Sequence, residues 1–171
     1  HPNKEAYAQH IHRLDRPVSG IVLFAKKKSV LKDLSEQFAQ RTVKKQYKAL
    51  TNHKPLVEKA KLEHWLFKDT KNKKAIIYPQ QQSDTDKVVL SYAATLYKNY
   101  TLWDIALHTG KYHQIRAQLS YAEAPILGDT LYGSDITYAP NSIALHAYAL
   151  EFSHPNTKQP MRIEAEPKWL I

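Results

Sequence analysis

His12-Arg13-Leu14-Asp15-Arg16-Pro17-Val18-Ser19-Gly20-Ile21-Val22-Leu23-Phe24-Ala25 sets one carboxylate between two guanidinium groups and then turns into an apolar run. Pro17 and Gly20 mark a turn, and the β-branched run 20–25 predicts a strand buried on both faces. Flanked by Arg13 and Arg16, Asp15 is expected as a carboxylate, available as nucleophile or base but not as proton donor. Taken alone, the stretch also fits a turn-capping aspartate among solvated charges, so the rest of the chain has to decide.

Outward from this stretch, residues 1–10 read as a polar lead-in loop. Val30, Leu31, Leu34 and Phe38 recur at helical spacing, with Ser29 at the expected N-cap, which predicts a helix over 29–40. Residues 46–50 read as a strand with Tyr47 facing opposite to its neighbours. A strand over 62–67, a lysine-rich tip at 68–74 and a return strand at 75–78 form a hairpin, and a polar loop follows to residue 86. Residues 88–97 and 101–107 form a second hairpin around Lys98-Asn99-Tyr100. A helix over 113–122 carries Ile115 and Leu119 on one face and Gln114 and Gln118 on another. A loop at 125–142 and strands over 143–152 and 161–165 complete the chain. Many strands, few helices and no βαβ alternation predict an α+β fold, with a mixed, largely antiparallel sheet and a few flanking helices. No linker divides the 171 residues, so 1–171 reads as a single domain.

The 25 Lys and Arg against 16 Asp and Glu give a formal charge of +9, which points to a polyanionic partner, with nucleic acid as the first candidate. The basic runs 26–28, 41–48 and 68–74 are the candidate phosphate contacts, each weighed against a merely solvated face. With no cysteine, disulfides, thiolate metal sites and cysteine nucleophiles are excluded. Nine scattered histidines without metal-ligand spacing give no metal site. GxxxxGK[ST] and GxGxxG loops are absent, and no apolar run approaches the roughly 20 residues of a membrane helix.

Chemistry concentrates in residues 12–20, 45–49 and 107–133. Arg116 lies one helical turn from His113, at the margin of an apolar face, and a buried arginine wants a carboxylate. Asp15 is the natural partner, in a bidentate pair that would orient the acid.

These stretches resemble the RluA-type family of RNA pseudouridine synthases. The motifs are HRLDxxxSG with an apolar strand and AK (residues 12–26), KxYxA (45–49), TGxxHQIRxxL (109–119), PIxGDxxYG (125–133) and LHAxxLxFxHP (145–155). Five ordered motifs cover most of the chain. The resemblance implies the pseudouridine synthase catalytic fold, an isomerase that detaches uracil from its ribose and rejoins it through carbon, and no cofactor. It implies that Asp15 acts on the ribose, as nucleophile at C1′ or base at C2′, that Tyr47 lies against the base, and that Arg116 pairs with Asp15. It further implies that Arg13 fills the space left by a flipped-out uridine and that Ile126 or Leu127 makes the apolar contact to that base. His113, Gln114, Asp129 and His146 are motif residues read as structural.

Pro17-Val18 stands where the family more often has an acidic residue and Thr, and Lys111-Tyr112 stands in place of Arg-Thr. Both leave Asp15 and Arg116 intact and bear on substrate preference. The KPxG motif that precedes HRLD in the family is not in these residues, so the chain is expected to lack an N-terminal portion of a longer protein. The expected partner is rRNA or tRNA, acted on by a cytoplasmic monomer without membrane attachment. Two other readings compete with this one. A catalytically inactive RNA-binding relative has no need of Asp15, Tyr47 and Arg116 together, and a glycosidase using Asp15 with Asp129 needs one carboxyl held protonated.

Overall fold

The computed structural model describes residues 7–170, so the first six residues of the expected lead-in loop lie outside the described residues. Strands β1 (Gln9–His10), β2 (Ser19–Gly20) and β3 (Phe24–Ala25) precede helix α1 (Lys28–Ala39). Then come β4 (Lys44–Thr51), β5 (Lys59–Asp69), β6 (Lys74–Tyr78), β7 (Thr85–Tyr97) and β8 (Tyr100–Leu107), helix α2 (Gln114–Tyr121), and strands β9 (Leu145–Ser153) and β10 (Pro160–Glu164).

One eight-stranded sheet runs in the order β10-β9-β4-β8-β7-β5-β6, with β2 joined to β9. Every pair in it is antiparallel except β2 with β9, so the expected α+β class with a mixed, largely antiparallel sheet is what forms. Both predicted hairpins are present, β5-β6 around the lysine-rich tip and β7-β8 around Lys98, whose φ of 54° closes the turn. The core lies where α2 and the loop after it pack on β4, β7 and β8. Trp103, Leu90, Ile105, Leu119 and Ile126 are fully buried there, and Trp103 Nε1 donates to Thr51 Oγ1 at 2.8 Å.

The run 20–25 is not one doubly buried strand. Gly20 pairs in parallel with Ala147, Ile21 N–H donates to the Ala147 carbonyl, and the ladder ends there. The chain then leaves the sheet, Ile21 and Leu23 pack under α1 with Leu34, Val43 and Phe152, and Phe24-Ala25 pairs with Gln9–His10 in a separate ribbon. Phe24 is 60% exposed. An apolar run records burial without saying which element covers it. Ser29 is likewise inside α1 rather than its cap; Lys27 holds the N-cap position and makes no side-chain cap.

Gly20 fixes the height of the Asp15 turn against β9. Its φ is +125°, and a Cβ there would lie 2.4 Å from the Ala147 carbonyl oxygen and 2.5 Å from the Ala147 nitrogen, both backbone atoms that cannot give way. Gly20→Ala is therefore expected to cost on the order of 3 kcal/mol through strain and lost pairing. Urea unfolding of the two proteins checks this.

Candidate active site

Four segments converge on Asp15. The turn that carries it closes with Val18 N–H donating to the Asp15 carbonyl at 2.9 Å, and Ile143 N–H ties Pro17 to the loop before β9 at 3.1 Å. Ser19 and His146 pin its far end. His146 Nε2 faces the Ala165 carbonyl at 2.8 Å and so carries the proton, leaving Nδ1 to accept from Ser19 Oγ at 2.8 Å. Burial holds His146 below the ordinary histidine range, in keeping with this neutral tautomer.

Arg116 comes from α2, whose residues 114–119 are all buried. The two faces read from the sequence are both interior, because the glutamines form a bonded row of their own. Thr109 Oγ1 donates to Gln114 Oε1 at 2.8 Å, Gln114 Nε2 to Gln118 Oε1 at 3.0 Å, and Gln118 Nε2 meets His64 Nδ1 at 3.1 Å. A helix satisfied on its polar side can be buried whole, and this carries Arg116 inside, at 5% exposure, rather than at a margin.

The bidentate partner of Arg116 is not Asp15 but Asp129. Arg116 Nε and Nη2 donate to the two Asp129 oxygens at 2.7 and 2.8 Å, while Nη1 reaches Asp15 Oδ2 at 3.4 Å. The guanidinium fork has a second edge, and a fully interior carboxylate takes the first. Burial opposes the charge on Arg116, but the Asp129 bonds outweigh it and its pKa is raised. Arg116 is thus a strut between a buried acid and the Asp15 carboxylate at the opening. Asp129 does not line the cavity that holds Asp15, which removes the paired-carboxylate glycosidase geometry.

His113, read from the sequence as structural, also faces Asp15, with Nε2 3.7 Å from Oδ2. It sits at φ 51° ahead of α2, in the left-handed region. Tyr132 OH accepts from Ala75 N–H at 2.7 Å, so its own proton points to His113 Nδ1 at 3.0 Å and leaves the Nε2 proton toward Asp15. Burial holds His113 below the usual histidine range against the pull of Asp15. The sequence signals for these two contributors were a non-glycine residue at a helix entry and an acid directly after Gly128.

Asp15 stands on a wall shared by two hollows. The inner one, about 170 Å3, is floored by Val18, Leu107, Ile115 and Leu145 and flanked by Tyr47 and Lys45. The outer one, about 430 Å3, is lined by Arg13, Arg16, Lys68, Lys111 and Tyr112. Tyr47 projects from β4, which runs in unbroken register with β8; opposite it β9 carries a bulge, Gln46 pairing with Ala149 and Tyr47 with Ala147, so the extra residue is Tyr148. Burial, with the Asp15 charge adding to it, pushes the Tyr47 phenol up to about 12, so it meets a ligand as a neutral phenol. Arg13 is exposed at the rim of both hollows.

Ile126 and Leu127 do not reach either hollow. Both are buried in the main core, Ile126 completely, with Leu127 N–H bonded to the Leu50 carbonyl. Their motif ends a loop that is stitched under β4 to place Asp129, and the apolar lining falls instead to Val18, Leu107, Ile115 and Leu145. Among the described residues no cluster of His, Asp and Glu could hold a metal ion, and no helix is long and apolar enough to cross a membrane.

His12 supports the rear of the inner cavity. Its Nε2 accepts from Leu23 N–H at 3.2 Å and its ring stacks on Phe38 at 4.9 Å between centroids. Burial, then the nearby Lys45 and His10, lower its pKa from 6.5 to about 4. The unfolded chain takes up this proton near pH 6.5 while the folded one resists until about 4, so stability present above pH 6.5 is lost as pH falls through that window. Melting temperatures are expected to drop from pH 6.5 to 4, and His12→Gln, which cannot take up the proton, should make that limb shallower, the rest of it belonging to His64, His113 and His146, which burial also lowers.

The family model for RNA pseudouridylate synthase matches residues 1–121. The chain belongs to the RNA pseudouridylate synthase family. It is 36% identical to the tRNA pseudouridine synthase C of Haemophilus ducreyi, over 91% of this chain and 70% of that protein. It is 28% identical to the tRNA pseudouridine synthase C of Vibrio cholerae, over 95% and 75%. It is 34% identical to the Escherichia coli ribosomal large subunit pseudouridine synthase C, covering 93% of this chain but only 52% of that protein. The solved structure of human RNA pseudouridylate synthase domain containing 1 has the same fold, with a TM-score of 0.80 at 22% identity, over 94% of this chain and 69% of that one. The RNA pseudouridylate synthases are isomerases acting on uridines in RNA, which fits a site of one acid, one phenol and a cationic hollow.

Proposed function

We propose that this chain converts specific uridines of structured RNA to pseudouridine, with Asp15 acting on the ribose of a flipped-out uridine. The observation that carries the reading is the place of Asp15 in the lining of two adjoining hollows, one with an apolar floor and the Tyr47 ring, the other with Arg16 and Lys68. A nucleotide straddling the two would put its base in the first, its phosphate in the second and its sugar on the carboxylate. Arg116 and His113 hold the carboxylate from behind, Tyr47 offers a ring face to the base, and Arg13 at the rim is placed to stack on the neighbouring bases once the uridine has left. A binding module would have no use for a buried arginine strut aimed at one acid, which disfavours an inactive RNA-binding relative.

The substrate is rRNA or tRNA, the two classes in the relatives' names, and we read residues 1–171 as one catalytic unit working as a monomer on cytoplasmic RNA. The test is tritium release from C5-labelled uridine in ribosomal and transfer RNA from cells lacking the enzyme. Release matched by pseudouridine formed is expected, in one of the two fractions; silence in both overturns the reading.

A further inference from the structure

Lys45 has no role in the site as described so far. It lies on β4 two residues before Tyr47, so both side chains leave the same face of the strand, and both line the inner cavity. It is half-buried, and its ammonium rests over the turn that enters α2, so closely that a Cβ on Gly110 would lie 2.8 Å from Nζ. Among the described residues it forms no ion pair, and the one carboxylate lining its cavity is Asp15, which is engaged by Arg116. The charged group felt at Lys45 is Arg41, a second cation, and burial together with Arg41 lowers its pKa. His12, its neighbour across the cavity, is held neutral. A partly desolvated cation with no ion-pair partner of its own, beside the apolar floor of a small cavity, is costly unless the ligand brings negative charge.

We propose that Lys45 stabilises the uracil leaving group, its ammonium hydrogen-bonded to a carbonyl oxygen of the departing base. This rests on the pseudouridine synthase reading. When the C1′–N1 bond breaks, its electron pair goes to N1 and spreads onto the carbonyl oxygens. At the same time C1′ gains a bond to Asp15, or Asp15 takes the C2′ proton. Lys45 keeps its own proton throughout. The base then turns and C5 bonds to C1′ as the C1′–Asp15 bond breaks, or as Asp15 returns the proton to C2′; the C5 proton is then lost to water and N1 takes one up, so nothing is oxidised or reduced. A phosphate is the other anion a lysine could meet, but the geometry divides the two. At about 170 Å3 the inner cavity is well under the ~300–1,000 Å3 of pockets that take larger ligands, so it suits a single ring. Arg16 and Lys68, exposed cations suited to a phosphodiester, line the outer hollow and not the inner cavity. A cation that meets charge only as it develops lowers the barrier rather than tightening ground-state binding.

The absence of cysteine from the chain gives a clean experiment. Lys45→Cys can be alkylated at that one thiol, with 2-bromoethylamine to restore an ammonium of lysine length or with iodoacetamide to leave a neutral amide. Lys45→Cys is expected to lose about 10^2–10^3-fold in kcat, with KM changed by only a few-fold, as when one donor to a developing anion is removed. Aminoethylation should recover most of the loss and carbamidomethylation none. In the wild type kcat should fall on the alkaline side, below the ordinary lysine range, and the limb should be missing in Lys45→Met. Unchanged kcat, a rise in KM alone, or equal recovery with both reagents overturns the proposal. The unmodified wild type is assayed alongside, so its silence would indict the pseudouridine reading and not the role of Lys45.

Discussion

Asp15→Asn should abolish tritium release, by about 10^3-fold or more, because the exchange removes the one group placed to attack or deprotonate the ribose while leaving its shape. The structure predicts that little else will change. Asp15 is bonded to Arg116 only through Nη1 at 3.4 Å, whereas the two short bonds of that guanidinium go to Asp129. Arg116 therefore stays paired in the variant and α2 stays seated. The turn closes through the Asp15 carbonyl, which the substitution does not touch. Stability should hold to within about 1 kcal/mol, the scale of a single partly exposed ion pair, and RNA affinity should hold because the cations of the outer hollow are intact. Filter binding and urea unfolding beside the activity assay would separate these quantities. Surviving activity would remove Asp15 from the chemistry, and loss of RNA binding in step with activity would make it a binding residue.

The site was legible in the sequence to the extent that its parts are local. Asp15 between two arginines, Tyr47 on a period-two segment and Arg116 on a helix-period segment could each be placed on an element, and the hairpin that sets β8 beside β7 is fixed by its turn residues. What could not be read is which acid a buried arginine would choose. Asp129 lies 13 residues from Arg116 along an irregular loop, and only the stitching of that loop to Leu50 and Ala144 brings it under the guanidinium. Ile126 and Leu127 failed for the same reason, since an apolar pair in a loop can face a ligand or the core, and the bonds of the loop turn them inward. The run 20–25 looked like a sheet interior because periodicity measures burial, and burial under α1 gives the same signal as burial between layers. Lys45 sat in plain view beside Tyr47, but a lysine within a basic run reads as solvated until its surroundings are known.

Arg116→Met should destabilise the fold by about 3–5 kcal/mol, because it strands the Asp129 carboxylate in the interior without a partner. The Asp129 side chain is 1% exposed and that of Arg116 6%, so neither charge has water to fall back on. The reverse substitution is predicted to cost less. In Asp129→Leu the guanidinium loses two short bonds but still faces Asp15, which is at the opening and 27% exposed, and Tyr132 lies beneath it at 5.0 Å. The double variant Arg116→Met/Asp129→Leu removes both charges and fills the volume with apolar atoms, and such replacements of buried ion pairs are often neutral or stabilising. It should thus be more stable than Arg116→Met alone, a coupling that urea unfolding of the four proteins would measure directly. Activity should not follow stability. Both proteins lacking Arg116 lose the strut that aims Asp15, and tritium release should stay low in the double variant even as its fold recovers. Recovery of both together would mean that Arg116 serves the fold alone, and that His113 with the turn around Asp15 is enough to hold the acid in place.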